Sequence, residues 1–299
     1  MPWYLFAAAT PAFYSVSNFV DKYLIEKKIR EPLAITALSG LLSGILGIIL
    51  GFIVGFKNIG IPQIGLLILA GLLLIFYLLP YFEAMKIEDA SRVVPLFQFI
   101  PVFTLILSSV FLKESLSGKQ IVGLILVVVA GVLISAQKIE GKMFTPRKSL
   151  WFMLLASFMY GAVGILFRFV VREAGFWTTL SYEYIGTGLG GIILLLIPKV
   201  RKNLLNDAKQ IRSSAGIISA NNGLAVLAQV SESYAVSLAA VPLVNIIGSI
   251  QPVLSLIEGI ILTKQFPNLI QEDIQKSVVA HKLISIFIIL VGLYLVYFR

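Results

Sequence analysis

Tyr14, Asn18 and Lys22 follow one another at intervals of four residues, the spacing that stacks side chains on one face of an α-helix. Tyr160, Gly164 and Arg168 repeat that spacing later in the chain. A lysine and an arginine so placed would form a positively charged vestibule for a carboxylate or a phosphate. The alternative is that Lys22 pairs with Asp21 or snorkels to a membrane surface while Arg168 reaches lipid headgroups. Of the two, Arg168 sits deeper, being followed by Phe169-Val170-Val171.

A second group of polar side chains lies in apolar surroundings. Asn222, Ala225, Gln229 and Glu232 define one broad face of a segment, with Asn221 beside it. Asn245, Ser249, Pro252 and Ser255 mark another segment, and Gln98 a third. Such groups line a solvated cavity or hydrogen-bond helix to helix. Glu183, between Tyr182 and Tyr184, is a candidate proton-coupling carboxylate, with a fixed ion pair to Arg168 or Arg172 as the alternative. Glu232 is a second coupling candidate, and Glu258 reads as structural. The expected substrate-binding set is therefore Tyr14, Asn18, Lys22, Gln98, Tyr160, Arg168, Asn221, Asn222, Gln229 and Asn245.

Catalysis finds little to work with. Cysteine is absent, which removes disulfides, thiolate nucleophiles and thiolate metal sites. The single histidine, His281, has no partners for a metal site or a triad. We expect no catalytic residue, no metal and no cofactor.

The elements that hold these residues must be membrane helices. Of 299 residues, 58% are hydrophobic and 13% charged, and the mean hydropathy is +0.95. No water-soluble core of this length hides so much apolar surface. A bilayer core needs about 20 apolar residues per helix. Ten such stretches fall near 3–23, 33–56, 62–83, 92–112, 119–137, 150–171, 177–198, 214–236, 241–263 and 281–298. Continuous apolar runs such as Gly123 to Ile134 exclude the alternating strands of an outer-membrane barrel. The first stretch lacks a basic n-region and a cleavage site and reads as a retained span.

The net charge of +9 is scattered over loops, which argues against a nucleic-acid surface. Counting residues at span edges, 17 lysines and arginines lie at the odd-numbered connections and five at the even ones and the C-terminus. By the positive-inside rule the odd connections are cytoplasmic and both termini lie outside.

An internal repeat relates the two halves. Tyr14 precedes Lys22 by eight residues, and Tyr160 precedes Arg168 by eight. Gly44-Ile45-Leu46-Gly47-Ile48-Ile49-Leu50 matches Gly188-Leu189-Gly190-Gly191-Ile192-Ile193-Leu194 at an offset of 144. Ala84, Pro101 and Glu114 match Ala235, Pro252 and Gln265 at an offset of 151, and Gly131 matches Gly292 at 161. The ninth connection thus holds an insertion of about ten residues, the polar stretch Asn268 to Lys276. Five spans per copy makes the second half enter the membrane from the opposite side, and inverted repeats place a site near the midplane. Prolines 95, 101, 242 and 252 mark the fourth and ninth spans as the interrupted pair. Gly40, Gly44, Gly47, Gly51 and Gly55 in the second span, echoed by Gly186 and Gly190, specify close packing.

These landmarks carry a resemblance. Tyr14 to Lys22, Tyr81-Phe82-Glu83-Ala84-Met85-Lys86 leading to Ala90-Ser91, Pro101-Val102-Phe103, and Lys113-Glu114-Ser115-Leu116-Ser117 followed by Gly123 and Gly131 resemble the EamA domain of the drug/metabolite transporter superfamily. The resemblance spans the chain as two copies, 1–140 and 141–299, and the second departs where Gln265 replaces the loop glutamate. It implies a ten-helix carrier with a central cavity lined mainly by helices 1, 3, 4, 6, 8 and 9, with helices 5 and 10 peripheral. It also implies, from some relatives, cytoplasmic termini, against the charge count.

The expectation is therefore an all-α polytopic protein of the cell membrane, with ten transmembrane helices in two inverted five-helix repeats. Acting as a monomer or homodimer, it would move a small organic metabolite or drug by alternating access, with proton coupling as an option. Its partners would be that solute and membrane lipid. A flippase for a lipid-linked substrate and a non-transporting scaffold are the alternatives.

Overall fold

The computed structural model describes the chain apart from residues 1, 29–31, 58, 113–116, 140–141, 147, 240, 249, 270–271 and 298–299. Lys113 to Leu116 of the family-like stretch, Glu114 among them, and Ser249 lie outside the described residues. In hydrocarbon each backbone N–H and C=O must be satisfied within its own segment, so apolar runs of this length become helices. The first half holds α1 (Trp3–Tyr23) with a π-helical extension Leu24–Lys28, α2 (Pro32–Val54), α3 (Ile61–Phe76), α4 (Leu78–Ile87) and α5 (Ala90–Val93). A 3-10 turn, Val94–Gln98, then leads into α6 (Phe99–Leu112) and α7 (Gly118–Ser135). A two-stranded antiparallel ribbon, β1 (Ala136–Ile139) and β2 (Lys142–Pro146), joins the halves.

The second half holds α8 (Lys148–Ala174), α9 (Phe176–Leu196), α10 (Pro198–Asn206), α11 (Ala208–Ser213), α12 (Ala215–Leu238), α13 (Val241–Gly248), α14 (Gln251–Gln265) and α15 (Lys276–Tyr297). The short helices α10 and α11 carry the basic residues of the seventh connection, Lys199, Arg201, Lys202, Lys209 and Arg212.

Six stretches are long and apolar enough to cross a membrane by length and composition: Pro32–Val54, Ile61–Ile87, Ala90–Phe111, Lys148–Ala174, Phe176–Leu196 and Lys276–Leu295. Helices α1 and α12, of 21 and 24 residues, have the length but not the apolar content. The cause is their buried polar residues, Ser15, Ser17, Asn18 and Lys22 on α1 and Asn221, Gln229 and Ser233 on α12. The described residues also interrupt the fourth and ninth stretches. Pro95 lies in the 3-10 turn before α6, and α13 ends at Gly248 before Pro252 enters the first turn of α14, where its missing N–H costs nothing.

Packing pairs the helices across the halves: α2 lies along α9, α1 along α12, α3 along α8, and α7 along α15. The α2 and α9 backbones approach closely because glycine meets glycine. A Cβ on Gly44 would stand 2.6 Å from the Gly188 Cα. A polar knot fixes the start of α15. Lys282, 1% exposed, is bound to Ser91 Oγ and stands 3.5 Å from Glu272 and 3.9 Å from Asp89. Glu272 in turn takes hydrogen bonds from the Ser91 hydroxyl and, at 3.0 Å, from its backbone N–H. Glu272, within the stretch expected as an insertion, thus binds α5.

Candidate functional site

Four-residue spacing on α1 turns Tyr14 and Asn18 to one face, and the polar face of α12 turns Asn221, Asn222, Gln229 and Glu232 toward them. Between these helices lies a cavity of about 490 Å³, which Gln98, Tyr160 and Asn245 also line. Lys22, Arg168 and Glu183 do not line it.

Two hydrogen-bonded clusters project into the cavity. In the first, the hydroxyls of Tyr14 and Tyr160 lie 3.0 Å apart, and each is within 3.0 Å of Gln229 Oε1. Tyr160 also reaches Glu232 Oε2 at 2.5 Å. The second lies further along α1. Tyr81 OH is 3.0 Å from Asn18 Oδ1 and 3.2 Å from Asp21 Oδ2, while Asn221 Nδ2 donates to Asp21 Oδ1 at 2.7 Å. An aromatic wall runs between them, Tyr160 on Tyr77 with centroids 5.0 Å apart and Tyr81 on Phe97 at 5.5 Å.

The two expected cations serve other ends. Lys22 donates to Met85 O at 2.7 Å and Glu88 O at 2.6 Å and stands 3.1 Å from Glu26. Arg168 Nη1 donates to Val236 O at 2.6 Å and Ser237 O at 2.9 Å. Each therefore caps the carbonyl end of a helix, α4 or α12, where the helix dipole favours positive charge. A vestibule of basic side chains is absent from the described cavity wall for that reason.

Glu183 is 0% exposed, and among the described residues neither of its carboxyl oxygens has a hydrogen-bond partner. It meets a separate void of about 20 Å³, whose other walls include Tyr160, Gln229, Glu232 and Ser233. That is room for about one water molecule. Glu258 accepts a 2.9 Å hydrogen bond from Ser15.

Residues 1–136 match the family model described as the EamA-like transporter family. No curated protein matches the chain. A solved crystal structure with 13% sequence identity aligns over 98% of this chain and 95% of the other, with a TM-score of 0.59, a likeness of fold.

The EamA-like family belongs to the drug/metabolite transporter superfamily, and with the apolar helices it marks an integral membrane protein. It points to a non-enzymatic transporter. Around the cavity, α2 adds Ser39, Leu42, Ser43 and Leu46 to the wall, a contribution the family pattern did not imply. No lining residue comes from α7 or α15 among those described. Sequence reasoning also passed over Tyr77 and Tyr81, and treated Asp21 only as a partner for Lys22. The signal was available: Asp21 follows Asn18 by three positions and shares its helix face.

Proposed function

We propose that the protein is a secondary transporter of the cell membrane that moves a small organic solute by alternating access through the cavity between two inverted repeats, 1–140 and 141–299. Ten membrane-crossing segments then arise from α1, α2, α3 with α4, α5 with α6, α7 and their counterparts α8, α9, α12, α13 with α14, and α15. In support, sequence-matched helices play matched parts: α1 lies on α12 as α8 lies on α3 and α4, and α6 lies on α8 as α14 lies on α1.

One observation carries the reading. Two seams related by the repeat differ. Between α3 and α9 the contact is backbone to backbone, since a Cβ on Gly71 would stand 2.0 Å from Glu183 O. At the offsets of 151 and 144, Gly71 corresponds to Asn222 and Glu183 to Ser39. That equivalent pair is joined instead by a side-chain hydrogen bond of 2.8 Å beside the cavity. One seam is shut and its twin stands apart, which is what a carrier caught in one of two mirror-related states requires.

The solute site comprises Tyr14, Asn18, Gln98, Tyr160, Asn221, Asn222, Gln229 and Asn245, with Lys22 and Arg168 assigned to holding helix ends. Glu232 and Glu183 are the coupling carboxylates. Around Tyr160 two hydroxyl protons serve four oxygen contacts, so a proton on Glu232 would reverse the Tyr160 bond and reorder the cluster.

The test uses the absence of native cysteine. Cysteines introduced as Ser39→Cys and Asn222→Cys, cross-linked in proteoliposomes, should stop solute uptake, and reduction should return it to the level of the double variant before cross-linking. Full uptake with the cross-link intact would refute alternating access at this seam.

A lipid-linked substrate is the second reading. Leu42, Ile45 and Leu46 line the cavity and are 51%, 54% and 44% exposed, so the wall formed by α2 ends in a lateral window. Transfer of headgroup-labelled lipid between leaflets, without uptake of soluble metabolites, would favour it.

A further inference from the structure

The charge on the cavity wall is of one sign. Among the described lining residues the ionisable acids are Asp21 and Glu232, and no lysine or arginine accompanies them. The nearest basic residue on α1, Lys22, is 4% exposed and spends its protons on Met85 O, Glu88 O and Glu26. Arg168 is likewise held on Val236 O and Ser237 O.

The acids are spaced along an aromatic surface. Asp21 accepts from Tyr81, and Glu232 accepts from Tyr160. Tyr77 lies between those tyrosines, its ring centroid 6.5 Å from that of Tyr81 and 5.0 Å from that of Tyr160. Tyr14 marks the Glu232 level on α1, and Asp21 is seven residues further, or about 10 Å at 1.5 Å rise per residue. A carboxylate in low-dielectric surroundings needs a countercharge or a proton. Aromatic faces attract cations and repel anions, because their quadrupole is negative on the face.

We propose that the cavity binds an organic cation with an apolar or aromatic body, Asp21 and Glu232 supplying the countercharge and the Tyr77, Tyr81 and Tyr160 rings the contact surface. This names the substrate class of the transporter reading above and rests on it only in treating the bound cation as cargo. A solute carrying a net negative charge is rejected by the same groups, with nothing on the wall to compensate it.

Tetraphenylphosphonium and tetraphenylborate, matched in shape and opposite in charge, test the inference on the purified full-length chain. The cation should bind at least about tenfold more tightly than the anion, the scale of one buried charge contact. Asp21→Asn and Glu232→Gln should each weaken cation binding at least about fivefold, while Glu83→Gln, an acid away from the cavity paired with Lys86, should leave it unchanged. Equal or tighter binding of the borate overturns the proposal on the unmodified protein, so it stands or falls even where Asp21→Asn fails to fold. So does cation binding that neither substitution alters. Proteoliposomes separate the two readings. Uptake of an anionic solute that a cross-link between Ser39→Cys and Asn222→Cys abolishes would keep transport and sink the cation site. Acid-dependent cation binding without flux of any solute would do the reverse.

Discussion

Tyr14 and Tyr160, matched to each other by the internal repeat, touch through their hydroxyl oxygens at 3.0 Å. Under the proposed inverted repeat, a residue that contacts its own counterpart would lie on the axis relating the two copies, as in any isologous contact. Gly44 and Gly188, matched at the offset of 144, meet in the same way.

The tyrosine pair should act as a unit. Tyr14→Phe and Tyr160→Phe each remove about 1 kcal/mol of hydrogen bonding, and the double variant should deviate from additivity by roughly 0.5–3 kcal/mol. Thermal unfolding of the four proteins in detergent measures the coupling. Strict additivity would show that the hydroxyls do not interact.

Gly44→Ala should destabilise the protein by about 1–3 kcal/mol, because its methyl would stand 2.6 Å from a backbone atom of α9 that cannot move alone. Gly65→Ala is the control. It lies in α3 with nothing within 4 Å of the added carbon, and should be neutral or stabilising by about 0.5–1 kcal/mol. The melting temperature should fall for Gly44→Ala and hold or rise for Gly65→Ala.

Lys22→Met and Arg168→Met should each lower stability, by about 1.5–3 kcal/mol for Lys22, whose charged hydrogen bonds are buried. Neither should change which charge the cavity prefers. Ligand selectivity measured on the two variants decides whether these cations cap helices or attract solute.

Lys282→Met should be costly, about 3–5 kcal/mol, because it strands the buried Glu272 carboxylate against Ser91 without its countercharge. Glu272→Gln in the same chain should recover part of the loss. Failure of that second change to help would place the cost in packing around α15.

Much of this architecture was legible in the residues. Repeated apolar runs located the helices, and glycines at positions 44 and 188 located a contact, because such spacing has one main physical use. The polar faces of α1 and α12 were legible for the same reason, since an asparagine in hydrocarbon needs a partner. The destinations of Lys22 and Arg168 were not. Their acceptors are backbone carbonyls of other helices, and a carbonyl carries no signature in residue type. Asp21 was misjudged because its neighbour in sequence, Lys22, offered a ready partner, whereas successive helix positions point about 100° apart. Tyr77, the residue between α3 and α4, was missed because a tyrosine in an apolar run carries no mark of the face it occupies.

A lateral window at the half-exposed Leu42, Ile45 and Leu46 would give the cavity a door onto hydrocarbon as well as water. Whatever reaches Tyr14 by that route is drawn from the lipid phase, so occupancy follows the partition coefficient and the quantity of bilayer present. Diluting a greasy cargo with empty vesicles would then starve the protein at constant aqueous dose.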